Sequence, residues 1–185
     1  MDGGRVTSCD FDVHSLLDGT MSVVAACRIF ASHYQIAICD DPTRSITDDE
    51  NWDDRKYAAG FAGGVSFRLV GTEADLNDHW VELDASGQPP NLTEWQRVTC
   101  VHLRSETGRI HLMSVIDDKP RLSVEVEPGD YSIYVAGQNL GTDLLSLGED
   151  GRLSDQQLAA RKDLEWYRVY IVPGIPEEQG RLCDS

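Results

Sequence analysis

Between Leu122 and Val135 the chain carries a pattern that few folds accept. Leu122, Val124 and Val126 alternate with Ser123, Glu125 and Glu127, and after Pro128-Gly129-Asp130 the alternation resumes at Tyr131, Ile133 and Val135. A period of two places apolar side chains on one face of a strand and polar ones on the other. Proline presets φ and glycine supplies positive φ, so the segment between reverses the chain. The expectation is a β-hairpin with one face on a core.

The same reading extends along the sequence. Val23 to Phe30 and Tyr34 to Cys39 read as two strands, and Val65, Phe67 and Leu69 alternate with Ser66 and Arg68. His79 to Leu83 is a further strand, broken off by Gln88-Pro-Pro-Asn91, where proline cannot donate to a ladder. Val98 to Leu103 and Ile110 to Ile116, joined by Ser105-Glu-Thr-Gly108, read as another hairpin. One helix is expected after Ser154, whose hydroxyl and Gln157 form a capping box, with Arg161 and Lys162 in its last turn. Tyr167, Val169 and Ile171 make the last strand, stopped by Pro173-Gly174. Many short strands and one late helix give an all-β fold, a mostly antiparallel β-sandwich. The organisation read from the sequence is an N-terminal arm over 1–20, either flexible or a start placed too early, a sandwich over 21–174, and a polar, frayed tail over 175–185.

A chain of 185 residues suits one hydrophobic core. Its charge is unusual: 32 Asp plus Glu against 16 Lys plus Arg leave a formal net charge of −16. Such a surface repels nucleic-acid phosphates and anionic lipid and attracts basic proteins. The plainer explanation, acid that only keeps the protein soluble, competes with a specific basic partner. The five cysteines (Cys9, Cys27, Cys39, Cys100 and Cys183) are odd in number and widely spaced, which fits neither a disulfide framework nor a zinc site. Reduced thiols in apolar segments point to a cytoplasmic address. The apolar stretch Met21 to Ala31 is interrupted by Arg28 and too short to span a bilayer.

Motifs that carry chemistry are scarce. There is no H-E-x-x-H, no P-loop, no G-x-S-x-G elbow and no dinucleotide fingerprint. His102 and His111 would face each other across their hairpin, but no third ligand can be named and no metal is assigned. His79 and Glu82, three apart on a strand, fall on opposite faces. Asp49, Asn51 and Asp53 superficially open a calcium loop, which fails because Asp54 and Gly60 stand where Gly and Glu are required. No catalytic residue and no cofactor is assigned, and the chain reads as a binding protein rather than an enzyme. The locally unusual feature is the stretch 40–54, with seven acids against one base, Arg44, a net of −6, and Trp52 in its midst. Tryptophan among carboxylates either folds back to cap the sandwich or anchors an interface. The candidate partner-binding residues are therefore Asp48, Asp49, Glu50, Trp52, Asp53 and Asp54.

Four stretches carry a family resemblance. Ser32-His-Tyr-Gln-Ile36 is the first, and Trp52 through Tyr57-Ala-Ala with Gly64-Val-Ser-Phe67 the second. Arg121-Leu-Ser-Val-Glu-Val-Glu-Pro-Gly-Asp-Tyr131 is the third, and the closing strand from Tyr167 to Ile171 the fourth. In this order, from about residue 28 to 172, the chain resembles the DNA-entry nuclease inhibitor family, competence protein J. It departs from the family in its N-terminal arm, around Gln88 to Trp95, and from Leu144 to Leu164. The resemblance implies a small, immunity-like acidic protein that binds a basic partner, a nuclease or toxin, and blocks its cleft. It implies no binding of nucleic acid or membrane. The rival reading is a small-ligand or carbohydrate-binding sandwich that uses Trp80, Trp95 or Trp166 as stacking platforms.

Overall fold

In the computed structural model, residues 23–44, 51–74, 77–149, 153–159 and 161–184 are described. Two sheets face each other. The six-stranded sheet is built from β1 (Val23–Ala31), β5 (Asn77–Asp84), β10 (Trp166–Pro173), β9 (Gly129–Gln138), β6 (Arg97–Ser105) and β11 (Gly180–Asp184), in that spatial order. The five-stranded sheet runs β3 (Phe61–Ala62), β4 (Phe67–Gly71), β2 (Gln35–Cys39), β7 (Arg109–Met113) and β8 (Leu122–Glu125). All pairings are antiparallel except β5 with β10. Two short helices, α1 (Asp54–Ala59) and α2 (Asp155–Ala159), complete the all-β fold expected from the sequence.

The core lies between the sheets. Ile29, Val81, Leu83, Val101, Leu103, Ile133 and Val169 from the larger sheet meet Ile36, Ile38, Ile110 and Leu112 from the smaller. Leu122, Val124 and Val126 point into this core while Ser123, Glu125 and Glu127 are exposed, so the alternation is as read.

The hairpins are not. β8 pairs with β7 and β9 pairs with β6 and β10, so Pro128 carries the chain from one sheet to the other. The buried Tyr131 sits at this corner and its hydroxyl donates to Glu127 O. Ser105–Gly108 is a second crossing, because β6 and β7 belong to different sheets. The turn 32–34 between β1 and β2 is a third. The physical reason is shared: the strands flanking each turn both send apolar side chains into the one core, which they do from opposite sides. His102 and His111 are consequently not facing partners. His102 Nε2 lies 2.8 Å from Asp130 Oδ1, and His111 Nδ1 lies 2.7 Å from Ser123 Oγ. The tail is corrected too: Gly180–Asp184 pairs with β6 as an edge strand, and Asp184 Oδ1 accepts from Arg97 Nε at 2.9 Å. The expected N-terminal arm lies outside the described residues.

The fully buried Glu165 ties one end of the sandwich together. Its Oε1 accepts from Glu73 N at 2.9 Å and from the Tyr167 hydroxyl, and its Oε2 accepts from Ala74 N at 2.9 Å and Gly141 N at 2.6 Å. His79, also fully buried, places its ring nitrogens 3.2 Å from Glu165 O and 3.1 Å from Ala74 O. Glu82, on the opposite face of β5, accepts from Arg168 instead. Glu165→Gln puts an amide N–H₂ where backbone donors converge. It is expected to cost roughly 2–4 kcal/mol, because buried donors lose their acceptor, and chemical denaturation measures that loss.

Candidate functional site

The acids of 40–54 do different work. Asp40 is buried, with its carboxylate accepting from Ser105 Oγ at 2.8 Å, Thr107 Oγ1 at 2.8 Å and Thr107 N at 3.1 Å. It thereby pins the crossing between the sheets. Burial alone would raise its pKa, but these hydrogen bonds from Ser105 and Thr107 outweigh it and hold the carboxyl below its ordinary value. Asp41 is exposed and accepts from Thr43 N and Oγ1 at 2.9 and 2.7 Å. Asp48, Asp49 and Glu50 lie outside the described residues.

Asp53 is the N-cap of α1, accepting from Arg55 N at 3.0 Å and Lys56 N at 2.9 Å. Gly60, at φ 80°, closes the helix in the left-handed conformation and donates back to Lys56 O and Tyr57 O. The helix was readable from Asp53 and Gly60, the cap residues that a helix of this length needs. Asp54, in its first turn, is exposed.

Trp52 lies half-buried on the outer face of the five-stranded sheet, against the cluster formed by Ala37, Cys39, Ala62, Phe67, Leu69 and Met113. Its indole N–H donates to Gln35 Oε1 at 2.6 Å, and its ring lies 5.0 Å from that of Tyr57. Trp52 thus caps this sheet. The exposed aromatics beside it are Tyr57 and Tyr34, which sequence reasoning missed as site residues.

Other exposed carboxylates gather at the turns holding Glu106, Glu125, Glu127, Glu177 and Glu178. Arg109 Nη2 meets Glu125 at 2.8 Å, and Arg104 lies 3.6 Å from Glu106. Negative charge among the described residues is therefore not confined to the segment around Trp52.

Trp80, Trp95 and Trp166 do come together, on the outer face of the six-stranded sheet. Trp80 and Trp166 are register partners on neighbouring strands, and Trp95 meets Trp166 edge-on at 5.2 Å. Cations occupy this aromatic layer: Lys162 Nζ lies 4.5 Å from the Trp166 ring centre, and Arg168 lies 5.8 Å and 5.9 Å from those of Trp95 and Trp166. The buried Glu82 binds Arg168, Lys162 and the Trp80 indole at once. Trp95 is buried, and this face is satisfied by its own side chains rather than held open for a sugar.

Cys27, Cys39 and Cys100 are buried, and burial pushes the Cys39 thiol up to about 12 and the Cys100 thiol up to about 11. Among the described residues, no group of three or more His, Cys, Asp or Glu side chains is arranged to hold a metal ion. No described helix is long and apolar enough to cross a membrane.

Two outcomes separate structural acids from surface acids. Asp53→Ala is expected to fray α1, seen as lost amide protection over 54–60 in hydrogen exchange, whereas Asp54→Asn leaves protection unchanged. Asp40→Asn weakens hydrogen bonds to a charged acceptor and should lower stability by roughly 1.5–3 kcal/mol at neutral pH. Because the folded carboxyl titrates below its unfolded value, its stabilisation is complete above a pH of about 4 and is lost as pH falls through the lowered value. The gap between mutant and wild type should therefore close in acid, which denaturation curves at several pH values would show.

No family model matches this sequence, and no curated protein matches it. Solved structures do. The crocagin biosynthetic protein J aligns over 82% of this chain and 98% of its own at 15% identity, with a TM-score of 0.46. ComJ from Bacillus subtilis, the inhibitor of the DNA-degrading activity of NucA, aligns over 81% of this chain and 96% of its own at 15% identity, with a TM-score of 0.56. This chain has the fold of ComJ.

Proposed function

We propose that this chain is an acidic protein-binding module that blocks the basic cleft of a nuclease, or of a toxin acting on nucleic acid. The observation that carries the reading is its fold, shared with an inhibitor of DNA degradation over nearly the whole of that inhibitor. The net charge of −16 supports it. A nuclease gathers cationic side chains to hold phosphates. A rigid sandwich presenting carboxylates occupies such a cleft, speeds encounter through long-range attraction, and excludes the nucleic acid that carries the same charge. Asp48, Asp49, Glu50, Asp53 and Asp54 supply charge in this reading, with Trp52 as the anchor. Asp53 serves the helix as well, so neutralising it tests two things at once, and Asp48, Asp49 and Glu50 make the cleaner set.

The same charge repels nucleic acid and anionic membranes, so the partner is a protein, met in the cytoplasm where cysteines stay reduced. Carbohydrate binding is disfavoured because the Trp80, Trp95 and Trp166 layer is occupied by Arg168 and Lys162. The test is capture of partners at low salt from cells that make this chain, followed by a DNA-degradation assay on whatever elutes at high salt. The expected outcome is a nuclease inhibited by stoichiometric addition of the chain. Its affinity should fall roughly tenfold or more when salt rises from about 0.05 to 0.3 M, as screening of exposed charges requires. Amide substitution at Asp48, Asp49 and Glu50 together should act in the same direction. A captured partner without nuclease activity, or binding indifferent to salt, would sink the reading.

A further inference from the structure

The turn 32–34 is built against backbone preference. His33 and Tyr34 stand at φ 59° and 57°, successive left-handed residues that carry side chains. A bulky residue there is uncommon, and glycine or asparagine is the ordinary occupant. The turn is nonetheless held: Ser32 Oγ lies 2.7 Å from His33 Nδ1, and Tyr34 O accepts from Thr72 N at 2.8 Å. The consequence is that Tyr34 stands 54% exposed.

Tyr34 is not isolated. The next residue, Gln35, accepts the Trp52 indole N–H, and Gly71 lies between Tyr34 O and the far edge of the Trp52 ring, so that a Cβ built there would sit 3.9 and 3.6 Å from them. Tyr57, 62% exposed, lies against Trp52 with the rings 5.0 Å apart and tilted by 31°. Val115, in the turn after β7, packs on the same apolar cluster as Trp52. Two exposed tyrosines thus stand beside a half-buried tryptophan, in the pattern of an interface centre rather than of scattered surface residues.

We propose that Tyr34 and Tyr57 form the docking centre for the cationic protein surface invoked above, with Trp52 as the floor beneath them. This proposal rests on the nuclease-blocking reading and moves its anchor from Trp52 to the tyrosines. The occupant follows from charge. The chain carries −16, the stretch 40–54 that contains Trp52 carries −6 in sequence, and exposed Asp54 opens the helix that follows it. Arg55 and Lys56 offset part of the helix charge, and Lys56 Nζ is turned to Asn51 O at 2.5 Å. Tyrosine faces beside carboxylates suit arginine, which stacks on rings and pairs with acids.

The probe is a short arginine-rich peptide titrated at low salt into the isotope-labelled full chain, read by amide chemical shifts. The expected perturbations centre on residues 32–35 and 52–58. Tyr34→Gly and Tyr57→Ala should each weaken binding roughly three- to tenfold, while Ile175→Ala, exposed on the opposite end of the sandwich, leaves it unchanged. Tyr34→Gly should at the same time raise Tm by roughly 2–4 °C, because glycine accepts the left-handed conformation freely. Better stability with poorer binding is a signature that a merely structural Tyr34 would not produce. Perturbations centred on the turns at 105–108, 125–130 and 177–178, or full affinity in both tyrosine variants, would overturn this docking centre while leaving the nuclease-blocking reading standing. A peptide that binds nowhere on the chain would bring down both.

Discussion

A carboxylate sealed from water holds one end of this sandwich, and much of the rest follows from it. Glu165 gathers backbone donors from Glu73, Ala74 and Gly141 and the hydroxyl of Tyr167. The backbone donors belong to the loop after β4 and to the long connection between β9 and β10, and Tyr167 stands in β10 itself. A buried charge is tolerated only where its oxygens are fully engaged. The requirement works in both directions: the loops satisfy Glu165, and Glu165 fixes the loops. From Ala74 the constraint passes to Thr72, whose hydroxyl donates to Ala74 O at 3.1 Å and whose backbone N–H holds Tyr34 O. The turn that displays Tyr34 is thus moored, through two residues, to the most deeply buried acid among the described residues.

Strands were legible because alternation reports burial directly. Leu122, Val124 and Val126 face the core, as their spacing required. The sheet to which each strand belongs was not legible. Alternation says that Tyr131 and Leu122 are both inward, and two inward rows can lie side by side in one sheet or opposite each other across a core. At Pro128, at Ser105–Gly108 and at His33 the chain takes the second course, and a tight turn looks the same in either case. The edge strand β11 was hidden for a different reason. Its one fully covered position is Gly180, and its remaining side chains are polar or partly exposed, so no hydrophobic period marks it. The capping box of α2 was legible in full: Ser154 and Gln157 exchange their hydrogen bonds as their spacing implied.

The candidate site was legible in composition and opaque in role. A count of acids cannot distinguish the buried Asp40, which secures a crossing, from Asp53, which caps a helix, or from Asp54, which faces water. Only the first two have backbone or hydroxyl donors aimed at them, and those donors arrive from Ser105 and Thr107, far along the chain, or from a helix that forms around the acid itself. The tryptophans show the same limit. Trp80, Trp95 and Trp166, candidates for a stacking platform, do assemble, yet Arg168 and Lys162, unremarkable in sequence, complete the layer.

In the proposed docking, charge and shape divide the labour of recognition. Carboxylates spread over the acidic stretch and the distant turns create a field that reaches about a Debye length, roughly 8 Å at physiological salt, and this governs encounter more than lifetime. Lifetime depends on side chains that desolvate and are already in place. Two left-handed residues in succession cost on the order of 1–2 kcal/mol each, a cost that only a firmly anchored loop sustains. A tyrosine held that way loses little freedom when a partner arrives, so strain accepted during folding reduces the ordering penalty of binding. The buried carboxylate at Glu165 and the exposed ring at Tyr34 are in this sense two ends of one device, the first supplying the rigidity that makes the second worth its strain.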